Sequence, residues 1–212
     1  MIVQPDIVII QTLTDGFAGL RQDPTPIQDI FASHLQNEIS DIQNYFSNTA
    51  TPIRHGWAKT ANEIGTGAVF VSIANSQETE TRQFLGSEAP NETPGLNKND
   101  EYLGTFFTTT LRVSCKAPNA NKALYIATIA KWILIGNRVT LENQNGLMQQ
   151  VISLSDLIPQ KIYEPDYVFS RDISYQCLHL DIVDVTVATG VVKSISVAPN
   201  QTVDSTEVFS IT

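Results

Sequence analysis

The stretch Phe107-Thr108-Thr109-Thr110-Leu111-Arg112-Val113-Ser114-Cys115, with Pro118-Asn119 and residues 122–135 behind it, decides the fold. Phe107, Thr109, Leu111, Val113 and Cys115 alternate with Thr108, Thr110, Arg112 and Ser114, the period of a strand with one buried face. Pro118-Asn119 ends that strand. Asn119 or Asn121 can then cap a helix over 122–135, which Gly136-Asn137 stops. Leu124, Ile126, Ala127, Ile129, Ala130, Trp132, Ile133 and Leu134 wrap most of this helix, so it needs cover on two sides. A sheet supplies one side, and a further element or another subunit supplies the other.

Upstream, Pro5 suits the first turn of a helix over about 6–20, with Ile7, Ile10, Leu13 or Thr14, Phe17 and Leu20 at helical spacing. The Ile-rich start also fits a strand. Asp23-Pro24-Thr25-Pro26 is a stiff break in which Thr25 is the expected N-cap of a second helix. Ile27, Ile30, Phe31, His34 or Leu35, Ile39, Ile42 and Tyr45 or Phe46 carry that helix as one periodic run. Residues 53–57 and 68–73 read as short strands around a turn containing Gly65 and Gly67. From 75 to 101 the chain is polar and holds Gly86, Pro90, Pro94 and Gly95, which predicts a long loop of the functional or disordered kind.

Downstream, Asn145-Gly146 predicts a hairpin turn between strands at 139–141 and 147–154. The longest alternating run follows: Tyr167, Phe169, Arg171, Ile173, Tyr175, Cys177 and His179 on one face, Val168, Ser170, Asp172, Ser174, Gln176 and Leu178 on the other. Thr189-Gly190 marks a last hairpin. Residues 1–187 thus read as a single domain and 188–212 as a C-terminal hairpin extension. Helices and strands come in blocks, which predicts an α+β fold: a mainly antiparallel sheet with two or three amphipathic helices on one face.

Composition narrows the chemistry. The 212 residues are 42% apolar and 17% charged, with 13 Lys and Arg against 22 Asp and Glu, a net charge of −9. Much of the remainder is Ser, Thr, Asn and Gln, which excludes a coiled coil, collagen, a disulfide scaffold and a disordered polyelectrolyte. Nothing clusters Lys and Arg as a phosphate-gripping groove requires. The apolar run at 124–135 is too short to span a membrane, and residues 1–6 lack the basic start of a signal peptide. Cys115 and Cys177 read as buried thiols made in a reducing cytoplasm.

No catalytic, cofactor-binding or metal-binding set emerges. Gly65-Thr66-Gly67 lacks the third glycine and the following helix of a phosphate loop. His34, His55 and His179 are far apart, and Asp181 and Asp184 read as solvated strand residues. Cys177 and His179 share a strand face without the third group a nucleophilic site needs. Arg112 and Arg171, inside strands, require a carboxylate such as Asp172, Glu164 or one from a neighbouring chain; the other reading is a solvent-facing strand.

In block order the chain resembles the neck proteins of tailed bacteriophages, in particular the tail-terminator and tail-completion family. The matching features are one or two amphipathic helices ahead of a sheet, a long polar insertion after the first strands, and a helix between the Arg112-bearing strand and later ones. A late long strand, Tyr167-Val168-Phe169-Ser170-Arg171-Asp172-Ile173, completes the pattern, over roughly residues 6–187. The resemblance implies a non-enzymatic structural protein of the virion, made in the host cytoplasm. It implies a homo-oligomeric ring, usually a hexamer, that ends the tail tube and joins it to the head. Its partners would be tail-tube and connector proteins, and DNA would pass through without sticking. An acidic lumen suits that task, with Glu78, Glu80, Glu88 and Glu92 as lumen candidates and Trp132, Arg112 and Arg171 as subunit-interface candidates. The competing expectations are another phage ring component, such as a head-tail adaptor or a tail-tube-like protein, and an enzyme or small-ligand binder with scattered site residues.

Overall fold

A computed structural model describes residues 3–58, 60–85, 102–161 and 167–184. They form α1 (Pro5–Gln22), α2 (Pro26–Ile30), α3 (Gln36–Asn48), β1 (Ile53–His55), a 3-10 turn (Ala61–Glu63) and β2 (Ala68–Leu85). Next come β3 (Tyr102–Ala117), α4 (Ala120–Gly136), α5 (Arg138–Asn145), β4 (Met148–Pro159) and β5 (Phe169–Asp184). The strands make one sheet in the order β1-β2-β3-β5-β4, antiparallel except for the β1–β2 pair. The fold is α+β, as the block order predicts.

The Asn119 side chain accepts hydrogen bonds from the Asn121 and Lys122 amides at 2.8 and 3.4 Å and so opens α4. One side of α4 packs on β3 and β5, where Leu111, Val113, Cys115, Ile173, Tyr175 and Cys177 form the buried face. The other side meets α1 through Ile9, Leu13, Phe17 and Leu20, with Gly16 at the crossing. Ile126, Ile129, Ile133 and Leu134 are essentially fully buried, each worth roughly 1.5–3 kcal/mol of transfer free energy. The opposite sheet face carries Arg112, Ser114, Ser170 and Asp172, and a small cluster of Ala58, Ile64, Ala68, Phe70 and Val168 packs there.

Several expectations need correcting. Ile7 is exposed, because the buried stripe of α1 runs through Ile9 and Leu13 instead. The second helix is two helices, with a turn at Phe31–Leu35. At 3.6 residues per turn Ile39 lies about 120° around a straight helix from Ile27, so one rod cannot aim both inward. The break buries Ile27 and Phe31 on α2, then Ile39, Ile42 and Phe46 on α3, and leaves Leu35 exposed. Thr25 makes no side-chain cap; the Asp23 carboxylate instead accepts the Thr25 amide at 3.0 Å, and hydrogen bonds from Thr25 hold that carboxyl below its usual range.

Asn145-Gly146 is not a hairpin turn. Residues 138–145 are helix α5, and Gly146, at φ 69°, is its left-handed cap, with amide bonds from Gly146 to the Glu142 carbonyl and from Leu147 to that of Leu141. One dipeptide serves either geometry, since both need positive φ. Burial decides: Leu141 is buried and Val139 exposed, whereas a strand would put both on one face. The predicted loop at 75–101 is also shorter than expected, because β2 continues to Leu85. Its polar residues pair with Thr105, Phe106, Phe107, Thr108 and Thr109 of β3, and strand pairing demands no apolar pattern where the sheet is not enclosed. The glycines and prolines begin only at Gly86; residues 86–101 and the 188–212 extension lie outside the described residues.

A Cβ at Gly16 would fall 2.6–2.9 Å from three Ile133 side-chain carbons, whereas one at Gly19 would meet nothing. Gly16→Ala is therefore expected to lower stability by about 1–3 kcal/mol despite its better helix propensity. Gly19→Ala on the same helix should raise it by roughly 0.5–1 kcal/mol. Chemical denaturation of the two variants checks the sign of each.

Candidate functional site

Trp132 lies on α4 with 44% of its surface exposed, followed one turn on by Ile135 and, at the start of α5, by Val139, both exposed too. Arg112 projects from the open sheet face, with its side chain 59% exposed and Nε 3.7 Å from an Asp172 carboxylate oxygen. Both readings of this arginine meet: it faces solvent and has a carboxylate partner. Arg171 is half-buried, and its Nε donates to the Ser155 carbonyl at 3.2 Å. Ser155 sits where the β4–β5 register shifts, and its hydroxyl accepts the Asp172 amide at 2.9 Å, so Arg171 ties a bulge of β4 to β5 within the chain.

Glu78 and Glu80 are strand residues of β2, not loop residues, since this part of the predicted loop is folded into the sheet. Glu80 is exposed and accepts a hydrogen bond from the Thr105 hydroxyl at 3.3 Å. Glu88 and Glu92 lie outside the described residues.

The three histidines stay apart. His34 is exposed beside Glu38 at 3.2 Å, and His55 meets Asp6 at 2.8 Å. His179 is fully buried, with Nε2 3.0 Å from the Thr109 hydroxyl and Nδ1 3.3 Å from Asp181 Oδ1, and its ring stacks on Phe107. Asp181 Oδ1 also accepts the Val3 amide at 2.8 Å. With the proton on Nδ1, a directed series runs from Thr109 through His179 to Asp181. Its order is that of a nucleophile, a base and an orienting carboxylate, but Thr109 is fully buried and no substrate reaches it. The series instead fastens the start of the chain to the β3–β5 pair. Sequence reasoning missed it because Thr109 and His179 are 70 residues apart and only the strand register brings them together.

Both cysteines are buried, and burial pushes the Cys115 thiol well above its usual range, so it stays protonated. Among the described residues no group of three His, Cys, Asp or Glu side chains is placed to hold a metal ion. Among them, too, no helix is long and apolar enough to cross a membrane. An open cleft of about 420 Å³ is lined by Asn62, Ile64, Gly65, Pro118, Tyr167 and Val168 among others, and among the described residues that line it Tyr167 is the one titratable group.

His179→Ala is expected to cost roughly 2–4 kcal/mol, through lost packing and a disturbed buried hydroxyl. His34→Ala, which removes an exposed pair with Glu38 and edge contacts of the ring with Phe31 and Tyr125, should cost less, about 0.5–1 kcal/mol. Thermal melts of both variants at one pH provide the comparison.

Compared with known proteins, the chain matches no protein-family model and no curated sequence.

Proposed function

We propose that this chain is a structural ring subunit of a tailed-phage neck, ending the tail tube and joining it to the head around a passage for DNA. The observation that supports this reading is the shape of the sheet. β3 has 16 residues, roughly 50 Å of strand, whereas the 17 residues of α4 make only about 26 Å of helix. Among residues 105–117 the fully buried positions of β3 fall within 109–117, and the strand runs on to Tyr102 with β2 and β5 at its sides. β1 pairs with β2 only opposite Val69, Phe70 and Val71. Among the described residues β2 therefore has a long outer edge with no partner strand, and such edges accept a strand from another chain.

The charge fits the same role. A net −9 chain does not hold a duplex by neutralising phosphates, and repetition around a ring multiplies each carboxylate into a repelling lumen. Glu78 and Glu80, on the extended part of β2, remain lumen candidates in this reading; Trp132 and Arg112 are candidate contacts between subunits. The role is mechanical and assigns no reaction to the chain. A head-tail adaptor or tube-like ring would use the same edges, and location in a particle separates these positions.

The full chain, purified at high concentration, should form closed rings visible by negative-stain microscopy, with a mass that is a multiple of six times 23.3 kDa. In a low-salt gel shift, double-stranded DNA should not bind saturably at micromolar protein. A strictly monomeric chain overturns the ring, and tight DNA binding overturns the non-sticking lumen.

A further inference from the structure

Charge is unevenly distributed along this acidic chain. Between Tyr102 and Leu141 there is no Asp or Glu, yet the segment holds Arg112, Lys116, Lys122, Lys131 and Arg138, five of the 13 basic residues. Residues 1–52 reverse this, with Asp6, Asp15, Asp23, Asp29, Glu38 and Asp41 against Arg21 alone. The two segments meet on α4. Its first half is covered: Tyr125 packs edge-on against Phe31 and close to His34, with ring centroids 5.5 and 6.3 Å away, and Lys122 lies over the Tyr45 ring. Glu38 and Asp41 of α3 stand close enough to push the Tyr125 hydroxyl above its usual range, after the larger effect of burial.

Among the described residues nothing covers the second half of the same face: Trp132 lies seven residues, two turns, beyond Tyr125 with Ile135 one turn further at 43% exposure, and past the break at Asn137 Val139 opens α5 at 69%. Exposed Lys131 and Arg138 flank them, and Glu142 is the first acid further along α5. Beside this basic, apolar stretch stands an acidic shoulder with its own apolar knob: Leu35 at 68% exposure, next to Glu38 and Asp41.

We infer that this face pairs with a second copy of the same chain about a two-fold axis. The Lys131–Trp132–Ile135–Arg138–Val139 stretch of each copy covers the Leu35–Glu38–Asp41 shoulder of the other. The shoulder stands by Tyr125, two turns of α4 before Trp132, so a two-fold axis between them sets each patch against its opposite, and every charge pair occurs twice. Apolar atoms then meet at the centre and opposite charges at the rim. The pairing goes beyond the ring reading and does not rest on it: it takes Trp132, there a candidate ring contact, into a two-fold contact of the helical layer instead, and leaves the sheet edges from which the ring is argued uncovered.

Two charge-reversed chains test it. Lys131→Glu with Arg138→Glu, and Glu38→Lys with Asp41→Lys, alter exposed or partly exposed side chains, and circular dichroism verifies folding. Each pair of changes should weaken self-association in sedimentation equilibrium by roughly tenfold or more, and the four together in one chain should restore it. Wild-type pairing should weaken as salt is raised. A mixture of Ile135→Cys and Leu35→Cys chains should oxidise to a mixed dimer faster than either chain alone, since Cys115 and Cys177 are buried. Unaltered association of the charge-reversed chains, or no salt dependence, overturns the pairing. Rings that still form in charge-reversed chains whose two-fold pairing is lost support both readings, and rings without any salt-dependent two-fold pairing in the wild type overturn the pairing alone.

Discussion

The burial of α4 is the constraint on which the other elements depend. A helix that is apolar around most of its circumference cannot rest on a sheet with one side in water, so the chain must bring a second layer over it. α1 supplies that layer, and it approaches closely because Gly16 leaves room for the Ile133 side chain. The sheet answers from below with residues of β3 and β5 in strict alternation. α2 and α3 then cover the first half of α4, and their break at Phe31–Leu35 follows from having to bury two stripes that a straight helix would aim in different directions.

The richness in Ser, Thr, Asn and Gln also follows from this arrangement. Only one sheet face is packed under helices, while the other carries short polar side chains, Arg112 and Asp172. Along the extended part of the β2–β3 pair Thr108 stands opposite Thr79, and Thr79 and Glu80 are exposed, so short polar residues continue the strand there. A sheet of this kind keeps its strands long without enclosing them. Long strands with unpaired edges are an aggregation hazard for a monomer and a joining surface for an assembly, which is why the geometry accords with the proposed ring.

Of the candidate site, the sequence marked residues and not their contacts. Trp132 was singled out because its helix is apolar nearly all round, and its exposure follows from the cover by Phe31 and His34 ending at Tyr125. Arg112 was placed by alternation, and its partner Asp172 was among those expected. Arg171 was not readable as a staple, because the bulge at Ser155 that it fills arises from a β4–β5 register shift with no local sequence marker. The Thr109–His179–Asp181 series was likewise hidden, since each member alone is an ordinary strand residue.

The sequence by itself determined the class of the fold, the helix α4, its cap down to Asn119 or Asn121, the buried face of β3 and the alternation of β5, while it left the start of α1 open to a strand. These depend on periodicities and caps written within a few neighbouring residues, where local sterics and burial agree. Tertiary structure decided where that local information was degenerate. Asn145-Gly146 satisfies a hairpin or a helix end equally, and the burial of Leu141 with exposure of Val139 selects the helix. The polar run after Ile73 fits a loop or an unenclosed strand equally, and pairing with β3 makes it strand. Whether residues 27–46 form one helix or two was set by which faces α1 and α4 left to be covered, a choice that no local window of the sequence contains.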